Sequence, residues 1–287
     1  MSSASPDSAA GEPIIEVDSL VRHFGRQKVL NGVSFKVYPG DTFIIMGGSG
    51  CGKSTLLRHL IGTEKPTSGS IKIFGEEITT MNADALRRLR GRYGMLFQSG
   101  ALLQSLTIAE NVALPLTEHT ALETGIIDTV VKMKLEQVGL TGHGHKKPSE
   151  ISGGMKKRAA LARAMALDPP LIFSDEPTAG LDPIMTAVVD ELTQRLTRQI
   201  GATVVVVTHD MNSVFRIGTR IIMLGTGHHQ GKVIASGTPA EIRASANPAV
   251  QQFINGDPQG DGGDDSGEML YRETLLGLAD TPSSPQS

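Results

Sequence analysis

DTFIIMGGSGCGKST, residues 41–55, decides the fold. Asp41–Met46 is a short apolar run without alternation, which suits a strand buried on both faces. Glycines follow, and Ser54–Ile61 reads as a helix with Gly62 at its stop. Gly47, Gly48, Ser49, Gly50, Cys51, Gly52, Lys53 and Ser54 match G-x-x-x-x-G-K-[ST] at every position, with a strand before and a helix after. Glycines let consecutive N–H groups converge on one anion, and the helix N-terminus adds partial positive charge. Lys53 then reaches the β- and γ-phosphates of a nucleotide, and the Ser54 hydroxyl ligates Mg²⁺. Thr55, next on the helix, joins the candidate phosphate contacts. The alternative, a chance glycine-rich turn, must explain a full match in its proper context.

Nucleotide binding is not hydrolysis, which needs carboxylates. LIFSDE, residues 171–176, ends an apolar strand in two acids. Asp175 is the candidate Mg²⁺ contact, direct or through water. Glu176 is the candidate base for the attacking water. Without the phosphate loop, two solvated acids at a strand end would be the simpler reading. His209 follows the strand TVVVVT, residues 203–208, and so faces the crevice at the carboxyl end of a parallel sheet. It is read either as a γ-phosphate contact or as a structural histidine. Gln98, after another strand, is read as touching Mg²⁺ or the attacking water.

The chain of 287 residues carries 39% hydrophobic and 20% charged residues, 33 glycines and a net charge of −3. Its pI near 6.2 does not fit a general nucleic-acid binder. No stretch reaches the roughly 18 apolar residues of a membrane span. The single cysteine, Cys51, forbids an internal disulfide and fits a reducing compartment. Its position in the phosphate loop, near a helix N-terminus and beside Lys53, favours a reactive thiolate; the alternative is a buried, inert thiol. MSSASPDSAAGEP lacks the basic start and apolar core of a signal peptide, so residues 1–13 read as a disordered tail of a cytoplasmic protein.

Residues 14–37 alternate as antiparallel strands with one wet face, and Ser70–Ile78 and Tyr93–Phe97 add strand pieces. Thr107–Glu110 and Thr238–Glu241 are capping boxes, the second with Pro239 at the first helical position. Residues 107–166 are mostly helical in pattern; strands return at Leu171–Ser174, Val204–Thr208 and Ile221–Leu224, with a helix before Gly201. The expected fold is an α/β phosphate-loop NTPase core over residues 14–254, with an antiparallel β subdomain and a helical subdomain inserted at about 100–165. Residues 255–267 read as a flexible Gly/Asp linker. EMLYRETLLGL, residues 268–278, is then either a docking piece or part of a disordered end. His143 and His145, and His228 and His229, lack the neighbours that would complete a metal site. Arg87, Arg88, Arg90 and Arg92 read as a solvated helix face.

PSEISGGMKKRAALARAMA, residues 148–166, supplies a second anion-binding turn at a helix start. The order phosphate loop, glutamine, Ser-Gly-Gly, Asp-Glu, histidine resembles the ABC ATPases over residues 14–245. ISGGM at 151–155, SDEPTAGLD at 174–182 and THD at 208–210 carry the resemblance. It implies that Ser152, Gly153 and Gly154 close over ATP held by a second copy of the chain, with two ATP and Mg²⁺ in a homodimer. It further implies that Phe24 stacks on adenine, that Asp182 lies in a loop joining the two sites, and that Gln98 senses a membrane permease. Met155 departs from the usual glutamine, and Ser174 from the usual apolar residue.

FQSGAL at 97–102 together with SGGM at 152–155 is similar to the ATPases paired with MCE-type lipid transporters, the Mla type. That resemblance implies permease subunits, an MCE substrate-binding protein, a small STAS-domain subunit and phospholipid cargo. The ATPase would then sit on the inner face of a Gram-negative inner membrane through the permease. An ATPase of another small-solute importer, or a non-transport ABC protein, is the alternative. One nucleotide domain and no sustained heptads argue against the latter.

Overall fold

The computed structural model describes residues 11–256. In chain order, β1 (Ile15–Phe24) and β2 (Gln27–Val37) form a hairpin, and β3 (Thr42–Gly47) runs into α1 (Lys53–Leu60). A second hairpin, β4 (Ser68–Ile73) and β5 (Glu76–Glu77), precedes α2 (Ala83–Arg90) and β6 (Tyr93–Leu96). Three helices follow, α3 (Ile108–His119), α4 (Thr124–Gln137) and α5 (Gly153–Ala164). The chain then alternates through β7 (Leu171–Asp175), α6 (Pro183–Ile200), β8 (Thr203–Val207), α7 (Met211–Ile217) and β9 (Arg220–Leu224). It closes with β10 (Val233–Gly237), α8 (Pro239–Arg243) and α9 (Pro248–Asn255).

Two sheets result. The smaller has the order β2-β1-β4-β5 and is antiparallel, as the alternation of residues 14–37 requires. Its buried face pairs Ile15 with Val37 and Ile73 across the strands. On its wet face Glu16 sits between its cross-strand partners Lys36 and Lys72, at 3.0 and 3.6 Å. The larger sheet has the order β10-β9-β3-β8-β7-β6, parallel except for β10.

Successive residues of the central strands serve opposite layers. Ile44, Met46, Ile172, Val204 and Val206 pack against the α3–α5 helices and α6. Phe43, Ile45, Phe173, Val205 and Val207 pack against α1 and the small sheet. Both faces are therefore dry, which explains the unbroken valines of β8. The helices α3–α5 lie between β6 and β7, so the helical insertion of the expected fold is present. Thr107 and Glu110 start α3 as a reciprocal capping box, and Thr238 and Glu241 start α8 in the same way. Of the expected N-terminal tail only residues 11–13 are described, and the expected linker and end piece beyond Gly256 lie outside the described residues.

Candidate functional site

Parallel strands β3, β8, β7 and β6 are consecutive neighbours, so their carboxyl ends share one edge of the sheet. The phosphate loop leaves β3 there, Thr208 and His209 follow β8, Asp175 and Glu176 end β7, and Gln98 follows β6. Topology thus gathers residues spread over more than a hundred positions in sequence.

Each turn of the loop is set by a glycine. Gly47, at φ +147, could not carry a Cβ, which would lie 2.5 Å from the Leu224 carbonyl oxygen. Gly52, at φ +105, is the N-cap of α1 and offers no side-chain cap, so the first N–H groups of that helix remain open to an anion. Lys53 Nζ donates to the carbonyls of Gly47 and Gly48 at 2.8 and 3.0 Å, which holds the loop curled around the ammonium. Ser54 and Thr55 stand in the first turn of α1. Cys51 corrects the expectation of a reactive thiolate. It is fully buried, with its Sγ packed under Gly47, and burial pushes its thiol up despite the Lys53 ammonium. Desolvation outweighs the nearby positive charge.

Glu176 lies at φ +43, the left-handed region that an L side chain enters at a cost of roughly 1–2 kcal/mol. Its N–H donates to the Val207 carbonyl at 2.8 Å, and its Oε1 lies 2.7 Å from His209 Nδ1. His209 is largely exposed on the crevice side and Glu176 mostly covered. Asp175 is half-buried; burial first, then the Glu176 charge, raises its carboxyl above the usual aspartate range, against the pull of Arg58 and Lys53. A half-buried carboxylate at the end of β7, the strand that packs beside α1 and its Ser54, fits a divalent cation.

Phe24 ends β1 with its ring 43% exposed, and the Arg22 guanidinium covers the ring at 4.5 Å. Ser152 is the N-cap of α5, accepting from Met155 N–H, and Gly153 and Gly154 form the first helical turn. A Cβ on Gly154 would meet Met185 Cε at 2.7 Å, so this turn abuts α6. Among the described residues no hydrogen bond joins the Ser152–Gly154 turn to the Gly47–Ser54 loop. Asp182 is the N-cap of α6, its Oδ1 accepting from Ile184 and Met185 N–H at 3.0 Å each.

Sequence reading missed one contact to the loop. Gln230, in the β9–β10 turn beside His228 and His229, donates from Nε2 to the Gly50 carbonyl at 2.9 Å. Nothing local in the sequence signals it, since 180 positions separate the two residues. Ser174, which stands where the resemblance expects an apolar residue, has a buried hydroxyl with no hydrogen-bond partner among the described residues.

The family model for the ABC transporter matches residues 30–179. The MlaF intermembrane phospholipid transport ATP-binding protein of Haemophilus influenzae is 42% identical over 86% of this chain and 92% of its own. That of Escherichia coli K12 is 43% identical over 81% and 85%. A probable ribonucleotide transport ATP-binding protein, mkl of Mycobacterium tuberculosis H37Rv, is 41% identical over 84% of this chain, which spans 66% of that relative's length. Among solved structures, the dimeric post-hydrolysis ATP-binding cassette MJ0796 bound to ADP and Pi superposes with a TM-score of 0.70 at 32% identity, covering 78% of this chain and 98% of that one. cbiO1 of Clostridium perfringens, part of an ABC transporter complex, superposes with a TM-score of 0.74 at 26% identity over 91% and 99%. Fold and site together define a nucleotide-binding ATPase cassette. The chain belongs to the ABC transporter family.

Proposed function

We propose that this chain is the ATP-hydrolysing subunit of a phospholipid transporter and works as a homodimer that encloses two ATP molecules. One observation carries the reading. Phosphate loop, Asp175, Glu176, His209 and Gln98 share one sheet edge, while the second anion-binding turn, Ser152–Gly154, is bonded elsewhere. A turn of that kind is free to serve a second copy's nucleotide.

The assignment of roles follows from the chemistry at each atom. Loop N–H groups and Lys53 hold the phosphates, and Phe24, backed by Arg22, offers its open face to adenine. Ser54, Asp175 and Gln98 would hold Mg²⁺, which when bound neutralises charge on the β- and γ-phosphates. Glu176 accepts the proton of the attacking water; His209, bonded to its Oε1, orients the carboxylate and can reach the γ-phosphate. Ser152 donates its hydroxyl hydrogen to the second copy's γ-phosphate, since its oxygen already accepts from Met155. Asp182 lies between the two sites. Loss of the γ-phosphate removes the bridge and loosens the dimer.

Phospholipid cargo is supported by the FQSGAL and SGGM motifs and by the MlaF relatives, while permease subunits at the membrane's inner face, an MCE protein and a STAS-domain subunit rest on the motif resemblance alone. The test has two arms. Glu176→Gln should keep ATP binding, lose about 10²–10⁴ in turnover and accumulate as an ATP-bound dimer. Near-normal turnover would overturn the base assignment. Tagged protein purified from native membranes should bring permease chains and bound phospholipid; recovery of a solute-binding importer instead would overturn the cargo.

A further inference from the structure

Helix α5 does more than present the Ser152 turn. Two of its side chains reach back to the loop that carries Gln98. The Lys157 ammonium donates to the Gln98 carbonyl. Arg163 donates to the carbonyls of Gly100 and Ala101, both at 2.8 Å. The loop is shaped to receive them. Gly100 and Ala101 both take left-handed backbone, at φ +74 and φ +46, and a Cβ on Gly100 would touch that of Ala160 on α5 at 3.4 Å. Lys157 is 7% exposed, and among the described residues no carboxylate lies in bonding distance of it. Burying an ammonium with a single carbonyl as its acceptor is costly. A plain structural anchor would not need a charge in this place.

We propose that Lys157 is a positioning residue for the ATPase site: by gripping the Gln98 carbonyl it fixes where the Gln98 side chain stands at the ends of β6 and β7. Lys157 lies five positions after Ser152 on the same helix. The turn that meets one nucleotide and the glutamine that serves the other are thereby held by one rigid element. This rests on the reading of Gln98 as a Mg²⁺ or water contact, so the test separates the two.

The full chain is compared as wild type, Gln98→Ala, Lys157→Met and the double variant, by ATPase rate against Mg²⁺ concentration and by melting temperature. Lys157→Met should lower kcat about tenfold, the worth of one charge-assisted hydrogen bond, and raise the Mg²⁺ needed for half-maximal rate. The KM for ATP should stay within about twofold, because the phosphate loop is untouched. In the Gln98→Ala background Lys157→Met should cost nothing further. Lys157→Arg, which keeps a charged donor and leaves no emptied cavity, should retain near-wild-type Mg²⁺ dependence. Three results would overturn the inference alone: full additivity of the two losses, wild-type behaviour of Lys157→Met beside an impaired Gln98→Ala, or Lys157→Arg as poor as Gln98→Ala. Wild-type behaviour of Gln98→Ala itself would overturn the Gln98 assignment and the inference with it.

Discussion

Glu176 and Asp175 are adjacent acids with opposite demands. Glu176 is held by strained backbone and a histidine; Asp175 is held by burial. A carboxyl whose pKa is raised on folding favours the protonated folded state. Its contribution to stability is therefore full below the unfolded value and is lost as pH rises through the folded value. At neutral pH the nucleotide-free chain carries that penalty, so Asp175→Asn should melt higher than wild type at pH 7, with the difference vanishing only below the unfolded aspartate value of 3.8. With Mg²⁺ and ATP the order should invert, since ligand at a hundredfold its Kd adds about 2.7 kcal/mol to wild type and less to the variant. Calorimetry across pH, with and without ligand, checks both signs. Cys51 gives a second residue-scale expectation. Maleimide should label it slowly in the folded chain and fully in denaturant, with little difference made by ATP; rapid, ATP-protected labelling of the folded chain would contradict its burial. The phosphate loop was legible because glycines and a helix start state their backbone chemistry locally. Cys51 was misread because its cover, Gly47 folded over the Sγ, is a tertiary fact.

Elements were legible where their ends are chemically marked. Thr107–Glu110 and Thr238–Glu241 announced α3 and α8, and the unbroken apolar runs announced β7, β8 and β9. Short helices with much polar surface, α7 and α9, were not foreseen, because seven or eight residues carry little periodicity. Their caps, Asp210 and Asn247, are each a single polar side chain within an otherwise ordinary loop. Asp182 shows why one residue can mislead at this scale. It was read from its motif as a link between sites, and it also caps an 18-residue helix. The two roles separate by substitution. Asp182→Ala should cost about 0.5–2 kcal/mol of stability, while Asp182→Asn, an equally good cap, should cost almost none. Loss of turnover in Asp182→Asn with an unchanged melting temperature is the result expected if the residue links the two sites. A melting temperature equally depressed in both variants would contradict the capping account.

At the scale of the whole molecule, the sheet edge was foreseen strand by strand, but the surface around it was not. Ile184 is 77% exposed and Val188, one turn later on α6, 42% exposed. Both follow the Asp182 cap, and their neighbour Met185 packs on Gly154 of the second phosphate turn. Two large aliphatic side chains one turn apart and open beside a polar site make a contiguous apolar patch, the kind of surface that a partner covers. In the proposed ATP-enclosing dimer with two-fold symmetry, a patch beside Ser152 would be covered twice, once per copy. Burial of a large aliphatic side chain is worth about 1.5–3 kcal/mol, so the pair of Ile184 residues would supply about 3–6 kcal/mol of the association. Ile184→Glu in the Glu176→Gln background should therefore weaken the ATP-dependent dimer by at least about a hundredfold, and more if the new carboxylates are buried. ATP binding to the single chain should remain, because Ile184 touches neither the phosphate loop nor Phe24. Sedimentation with ATP reads the dimer constant, and a fluorescent nucleotide reads binding in the same samples. A dimer constant unchanged by Ile184→Glu would mean that the two copies meet through another face, and the shared-nucleotide arrangement would have to be rebuilt from there.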